Sequence, residues 1–447
     1  MLSAIGLIVS LGLLIYLTMR GINIIVAGII CSVVVAVTGG LNLETAMAKY
    51  YMDGFTGYFA SWFLIFLLGA VFGKVMQDTK AADSIADWVS RRMGPGRAVF
   101  AVVAACAIMT YGGVSLFVVG FSVYPIAVSL FKKANLPHRF IPAALVFGSV
   151  SFTMTSPGSP EIQNLIPTKF FHTTPTGGGA IGFIIGFLIL IAGGFWLGYM
   201  VKKAVAKGEG FDWSLSSSKE SLEEVSAAGE KANVEDTGEK TPLPNPFLSI
   251  LPLIMVIIIL NITAQWLSST SAAMVSLLLG ILLTWVLNLK FVPHYWPSLA
   301  SGSQNALVAA ANTCAVVGFG SVAAKVPAFQ SIVDSLVDIP GPPLVGLAIG
   351  ISLICAITGS ASGGLGIALP ILAPIYLAKG LDPGAMHRIS TLASGGLDSL
   401  PHNGYIVTTI RTICGETHKR SYKPVFYLSV ALPTAALILA VILYSIF

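Results

Sequence analysis

Charge is what this chain has least of. Of 447 residues only 10% are Asp, Glu, Lys or Arg, against 55% hydrophobic. A soluble protein carries about 25% charged residues. A water-soluble fold of this length could not hide so much apolar surface, so the bilayer is the expected solvent. Cysteine is scarce too: Cys31, Cys106, Cys314, Cys355 and Cys414 lie in or beside apolar runs, without metal-ligand spacing. They read as small, buried, reduced residues. There is no G-x-x-x-x-G-K-[ST], which excludes ATP hydrolysis by a phosphate loop, and no H-E-x-x-H or G-x-S-x-G. No cofactor, bound metal or nucleic-acid partner is expected. The first apolar run begins at Met1 with neither a basic n-region nor a small-residue cleavage site, and reads as a retained membrane helix rather than a signal peptide.

What is present is a series of apolar stretches long enough to span, at about 20 residues each: 2–19, 22–38, 55–76, 98–131, 139–170, 178–201, 247–266, 272–289, 299–322, 343–378, 386–413 and 425–446. One segment, 202–246, is rich in Ser, Glu, Lys and Gly and reads as a solvated linker. It separates a first membrane unit, 1–201, from a second, 247–447. The units share a pattern: Gly112-Gly113 recurs as Gly363-Gly364, Pro125 as Pro374, Arg139 as Arg388, Gly158 as Gly404 and Lys74 as Lys325. That order and spacing indicate an internal repeat.

Two stretches in each unit are irregular. Residues 98–131 are interrupted at Gly112-Gly113, and 343–378 at Thr358–Gly364; both suit re-entrant helical hairpins. Residues 139–170 are interrupted by Thr155-Ser156-Pro157-Gly158-Ser159-Pro160, and 386–413 by Asp398–Gly404, so both read as discontinuous spans. The expected fold is an all-α polytopic membrane protein with five crossings plus one re-entrant hairpin per repeat. Five is odd, so the second repeat enters inverted. With the N-terminus outside, only Lys49, Lys169, Lys325, Lys379 and Arg388 fall outside, leaving 20 of the 25 Lys and Arg residues cytoplasmic. This favours N-out, C-out, with a cytoplasmic linker.

Irregular backbone at membrane depth survives only in a protein-lined or wet cavity. Half-helix N-termini there suit a carboxylate, and free carbonyls a cation. The interruptions carry hydroxyls and small residues suited to a small polar anion: Thr110, Gly112, Gly113, Ser115, Thr153, Thr155, Ser156, Ser159, Thr358, Ser360, Ser362, Gly363, Gly364, Ser399, His402 and Asn403. Any one hydroxyl can instead bond back to the preceding turn, and Gly-Gly pairs also permit close helix packing. Asp398, His402 and Glu161 are the ionisable residues near the breaks and the candidates to carry a coupling proton. Against that, Asp398 could cap a half-helix and Glu161 could sit at the surface. No arginine falls plainly in an apolar core segment, which leaves helix termini and hydroxyls to hold the anion.

The stretches Tyr111-Gly112-Gly113-Val114-Ser115 to Tyr124-Pro125, Phe152 through Pro160 with Gln163-Asn164, and above all Gly395-Gly396-Leu397-Asp398-Ser399-Leu400-Pro401-His402-Asn403-Gly404 resemble the gluconate permease family. The last stretch is similar to its 3-hydroxybutyrate permease branch. The resemblance covers nearly the whole chain except the hydrophilic linker. The family belongs to the ion transporter superfamily. The resemblance therefore implies a homodimer of inverted repeats, elevator-type alternating access, and proton-coupled uptake of small organic acids such as gluconate or 3-hydroxybutyrate across a bacterial cytoplasmic membrane. Sodium-coupled symport or cation/proton antiport on the same scaffold are the nearest alternatives. An intramembrane lipid-modifying enzyme or a passive channel is more remote.

Overall fold

The structure, a computed structural model, describes residues 2–20, 22–93, 97–212, 242–291, 295–329, 331, 335, 341–401 and 403–446. Every described element is helical. The first half runs α1 (Leu2–Met19), α2 (Ile24–Thr38), α3 (Met52–Asp78, entered through a π-helical stretch at Thr45–Tyr51), α4 (Ala81–Met93), α5 (Ala98–Tyr111), α6 (Leu116–Lys133), α7 (Ile141–Val146), α8 (Ile162–Phe171) and α9 (Gly179–Val205). The second half runs α10 (Pro246–Thr263), α11 (Ser269–Leu287), α12 (Tyr295–Ala323), α13 (Pro343–Thr358), α14 (Ala361–Ala378), α15 (Pro383–Ser394), α16 (Gly404–Val407), α17 (His418–Phe426) and α18 (Leu432–Ile446). Among the described residues, eight helices are long and apolar enough to cross a membrane, and α1, α2, α5 and α13 are shorter apolar helices.

Both halves follow one order: three helices, a helix pair, an interrupted helix and a long closing helix. Helix α4 falls outside that scheme, and no apolar run marks it. Its buried residues, Ala81, Ala82, Ile85, Ala86 and Val89, recur at helical spacing while Arg91 and Arg92 stay exposed. An amphipathic surface helix of this kind escapes a search for long apolar stretches. Most of the hydrophilic segment, residues 213–241, lies outside the described residues.

The lipid cannot drive apolar helices together, because its tails are as apolar as leucine; close packing through small residues does that work. The central contact is between α3 and α12. A Cβ on Gly302 would lie 2.8 Å from the Val71 Cα, so only glycine permits this approach. The outer faces carry exposed Ile8, Phe187, Phe195, Leu278 and Ile442, which suit contact with acyl chains.

The two helix pairs differ in their turns. Helices α5 and α6 are joined through Gly112–Ser115, and α13 and α14 through Gly359 and Ser360. Gly113 (φ +92°) and Gly359 (φ +60°) hold left-handed backbone that other residues rarely adopt. Gly364 sits between the arms of the second pair, where a Cβ would be 2.7 Å from the Cys355 Cα. Gly364→Ala is expected to cost about 1–3 kcal/mol by overpacking, read as a lower melting temperature in detergent. An unchanged melt would show that the arms part freely.

The interruptions follow from residues that cannot continue a helix. Helix α7 runs into a π-helical stretch, Phe147–Ser151, and the chain stays irregular until Ile162. Pro157 and Pro160 lie in that gap and donate no backbone hydrogen bond. In the second half, α15 stops at Ser394, and a single 3-10 turn covers Leu397–Ser399. Helix then restarts at Gly404, with Asn403 Oδ1 accepting from the Ile406 N–H (3.0 Å).

Candidate functional site

Each interruption is seated against its neighbouring hairpin. In the first half the Tyr111 hydroxyl donates to the Pro157 carbonyl (2.6 Å). Asn261, on α10, donates to the Gly158 carbonyl (3.1 Å). In the second half, Asn403 Nδ2 donates to the Gly359 carbonyl at the hairpin turn (3.1 Å). Ser352 Oγ donates to the Ala393 carbonyl (3.2 Å). The Tyr422 hydroxyl donates to the Ser399 carbonyl (3.1 Å). The two interruptions also touch: a Cβ on Gly395 would lie 2.6 Å from Thr155 Cγ2. Both hairpin turns and both breaks thus form one connected region, built from segments more than 200 residues apart in sequence.

The residues singled out from the sequence divide by their partners. Thr153 donates to the Ser149 carbonyl (2.6 Å), Ser156 to that of Phe152, and Thr358 to those of Cys355 (3.2 Å) and Ser360 (3.1 Å). These hydroxyls satisfy local backbone. Ser360 caps α14 by accepting from the Gly363 N–H (3.2 Å), and Ser159 accepts from the Glu161 N–H (3.3 Å). Gly112 packs on Leu253, and Ser115 precedes α6 without a side-chain cap bond. Ser362, at the start of α14, faces the Tyr58 hydroxyl. Thr110 and Thr155 differ: their hydroxyls are buried with no protein partner. Ser149 and Ser151, on the π-helical stretch beside the break, share this property and were not foreseen. Buried hydroxyls of this kind call for a partner from water or ligand, and π-helical stretches concentrate at functional sites.

Asp398 is buried; its Oδ1 accepts from Ser399 Oγ (3.1 Å), and its carboxylate faces the Ala361 N–H at the start of α14. It therefore ties the second break to the second hairpin. Glu161 is half-buried and heads α8 without a side-chain cap bond. His402 lies outside the described residues.

One expectation fails. Arg388, counted from the sequence as an outer charge, is fully buried, so a core arginine does exist. Its guanidinium donates to the carbonyls of Thr155, Gly177 (3.0 Å from Nε, 2.7 Å from Nη2) and Pro175 (3.4 Å). A Cβ on Gly178 would lie 2.4 Å from the Arg388 Cβ, so the loop before α9 approaches as glycine or not at all. Beside it, His387 pairs with Thr173 Oγ1 (2.6 Å) and Asn164 Oδ1 (3.2 Å). In the other half, buried His138 pairs with Glu416 (2.9 Å) and the Tyr124 hydroxyl (3.2 Å). Arg139 holds Glu209 through two bonds (2.7 and 3.0 Å). Each His-Arg pair therefore opens an interrupted helix, and each histidine reaches into the opposite half. The signal was present: His138-Arg139 recurs as His387-Arg388 at the offset already seen for the arginines.

Comparison with known proteins adds to this geometry. A family model described as GntP family permease matches residues 2–289. A protein of Bacillus subtilis named uncharacterized transporter YxjC is 34% identical, over 98% of this chain and 98% of that protein. The gluconate permease of Pseudomonas aeruginosa is 30% identical over 112 residues, covering 25% of this chain and 24% of its own length. Among solved structures, the YdaH transporter of Alcanivorax borkumensis superposes with a TM-score of 0.55 at 16% identity, over 90% of this chain and 87% of that one. MtrF of Neisseria gonorrhoeae gives 0.51 at 14%, over 91% and 84%. At these identities the two structures share the fold alone.

Proposed function

The chain belongs to the GntP permease family and is a membrane transporter rather than an enzyme; from that premise we propose that it is a proton-coupled importer of a small hydroxy acid or sugar acid. The observation that carries the reading is the contact between the two interruptions at Thr155 and Gly395, where the Thr155 hydroxyl is buried with no protein partner. Such a region offers a small acid hydrogen bonds, with the N-terminus of α8 left without a side-chain cap. The gluconate permease named above supports the acid class, with 3-hydroxybutyrate as the second candidate. The proposal extends to two inverted repeats, N-out and C-out termini, a cytoplasmic linker, a homodimer in a bacterial inner membrane and elevator-type movement.

In this reading Asp398 couples the proton to the hairpin. An ionised carboxylate is favoured at the N-terminus of α14. Protonation weakens that hold and changes how tightly the second hairpin is tied to the second break. Glu161 and His402 are the other coupling candidates. The test is uptake of labelled gluconate, 3-hydroxybutyrate and related acids into proteoliposomes, with an inward proton gradient and no sodium. The expected result is accumulation that a protonophore collapses. In Asp398→Asn, accumulation should fall to passive equilibration while exchange of labelled for unlabelled acid persists. Full proton-driven accumulation in both Asp398→Asn and His402→Ala would sink the coupling assignment, and a requirement for sodium would move it to sodium symport.

A further inference from the structure

A cavity of about 380 Å³ opens between α3, α8, α12 and α14. Its polar lining includes Asp53, Tyr58, Ser61, Lys169 and Lys325. Its volume falls in the range of small-ligand sites. We propose that this cavity is a collecting site for a small carboxylate on the outer side, drawn in by the positive charge of the Lys169 and Lys325 ammonium groups. The proposal rests on the transport reading above and on the N-out topology.

Three observations carry it. First, neither lysine forms an ion pair among the described residues. Lys169 Nζ lies 3.4 Å from Ser61 Oγ, and Lys325 Nζ stands 5.5 Å over the Tyr50 ring. The counterpart of Lys325 in the first half, Lys74, is by contrast neutralised by Asp78 at 3.0 Å, and Asp78 also accepts from Ser298 (2.6 Å). The same scaffold position is balanced at one end of the molecule and left cationic at the other. Second, both lysine side chains are exposed, so an anion from solvent can reach them. Third, the cavity adjoins the second hairpin: Gly366 and Pro370 of α14 form part of its wall, and Ser362, one turn earlier, faces Tyr58. An acid held here is one helical turn from the hairpin start. Two lysines against Asp53 leave a net positive cleft, which focuses field lines and raises the local concentration of anions.

The experiment reads charge by its sign. In proteoliposomes, Lys169→Gln and Lys325→Gln should each raise the KM for the transported acid about fivefold, with kcat within about twofold. Asp53→Asn should lower KM, because it removes a repelling charge. Added salt should bring wild-type KM towards that of the lysine variants. Unchanged KM in both lysine variants, or a higher KM in Asp53→Asn, overturns the proposal. A second readout does not depend on transport: acylation of Lys169 and Lys325 by a membrane-impermeant amine reagent, mapped by mass spectrometry. Labelling from the outside, suppressed by gluconate, 3-hydroxybutyrate or acetate but not by equimolar chloride or glycerol, supports the site even if no acid in the panel is transported. Labelling from the cytoplasmic side only, or labelling that no carboxylate suppresses, overturns it.

Discussion

Replacing Arg388 with methionine is expected to abolish transport and to destabilise the protein by about 3 kcal/mol. The side chain is wholly buried, and its guanidinium satisfies carbonyls at Thr155, Pro175 and Gly177. Each buried carbonyl left unmade costs about 1–3 kcal/mol, partly offset by no longer burying a charge. Function should suffer more than stability, because Thr155 belongs to the contact between the two breaks. Arg388→Lys should recover little: an ammonium is a point charge, and the planar fork that reaches three carbonyls at once is lost. Thermal melting in detergent and uptake by the same preparation check both halves of this expectation. A variant that melts and transports like wild type would show that the guanidinium does not pin the first break.

The second large effect concerns the buried His138–Glu416 pair, which bridges the two halves at 2.9 Å with neither side chain appreciably exposed. His138→Ala strands a buried carboxylate whose other cation, Arg420, stands at 3.9 Å. Removing one partner of a buried pair costs about 3–5 kcal/mol, mostly as the penalty on the charge left behind. Glu416→Ala removes one partner of an imidazole that has a neutral form and keeps the Tyr124 hydroxyl, so its cost should be nearer about 1–2 kcal/mol. The double variant should be more stable than His138→Ala alone, with a coupling energy of about 1–3 kcal/mol in a double-mutant cycle. Additive losses would show that the two groups do not act as a pair.

These two contacts also mark where the sequence stopped being informative. Membrane class, helix order and the places where helices break were legible because their causes are local. Apolar run length reports the bilayer, and the clustered Pro157, Gly158 and Pro160 and the pair Gly395-Gly396 disfavour helix where they stand. The candidate site was legible as a set of segments but not as a set of contacts. Of the hydroxyls chosen from sequence, Thr153, Ser156 and Thr358 proved to serve their own backbone, while Thr110 and Thr155 did not. Residue type is the same in both groups, so type alone could not separate them.

Arg388 shows the limit most clearly. Next to a helix end, in a chain with few charges, it reads as a surface cation under the positive-inside count. Its carbonyl partners lie 211 to 233 residues away. Only the packing of the loop before α9 against α15, with glycine at 178 to allow the approach, brings them within reach. The chain by itself determined its solvent, its long apolar helices and the interruptions within them, since each depends on a residue and its near neighbours. The tertiary structure alone decided which buried polar groups satisfy one another and which have no protein partner. A hydrogen bond forms at about 3 Å, and no distance that short between opposite halves of the chain is written in local sequence.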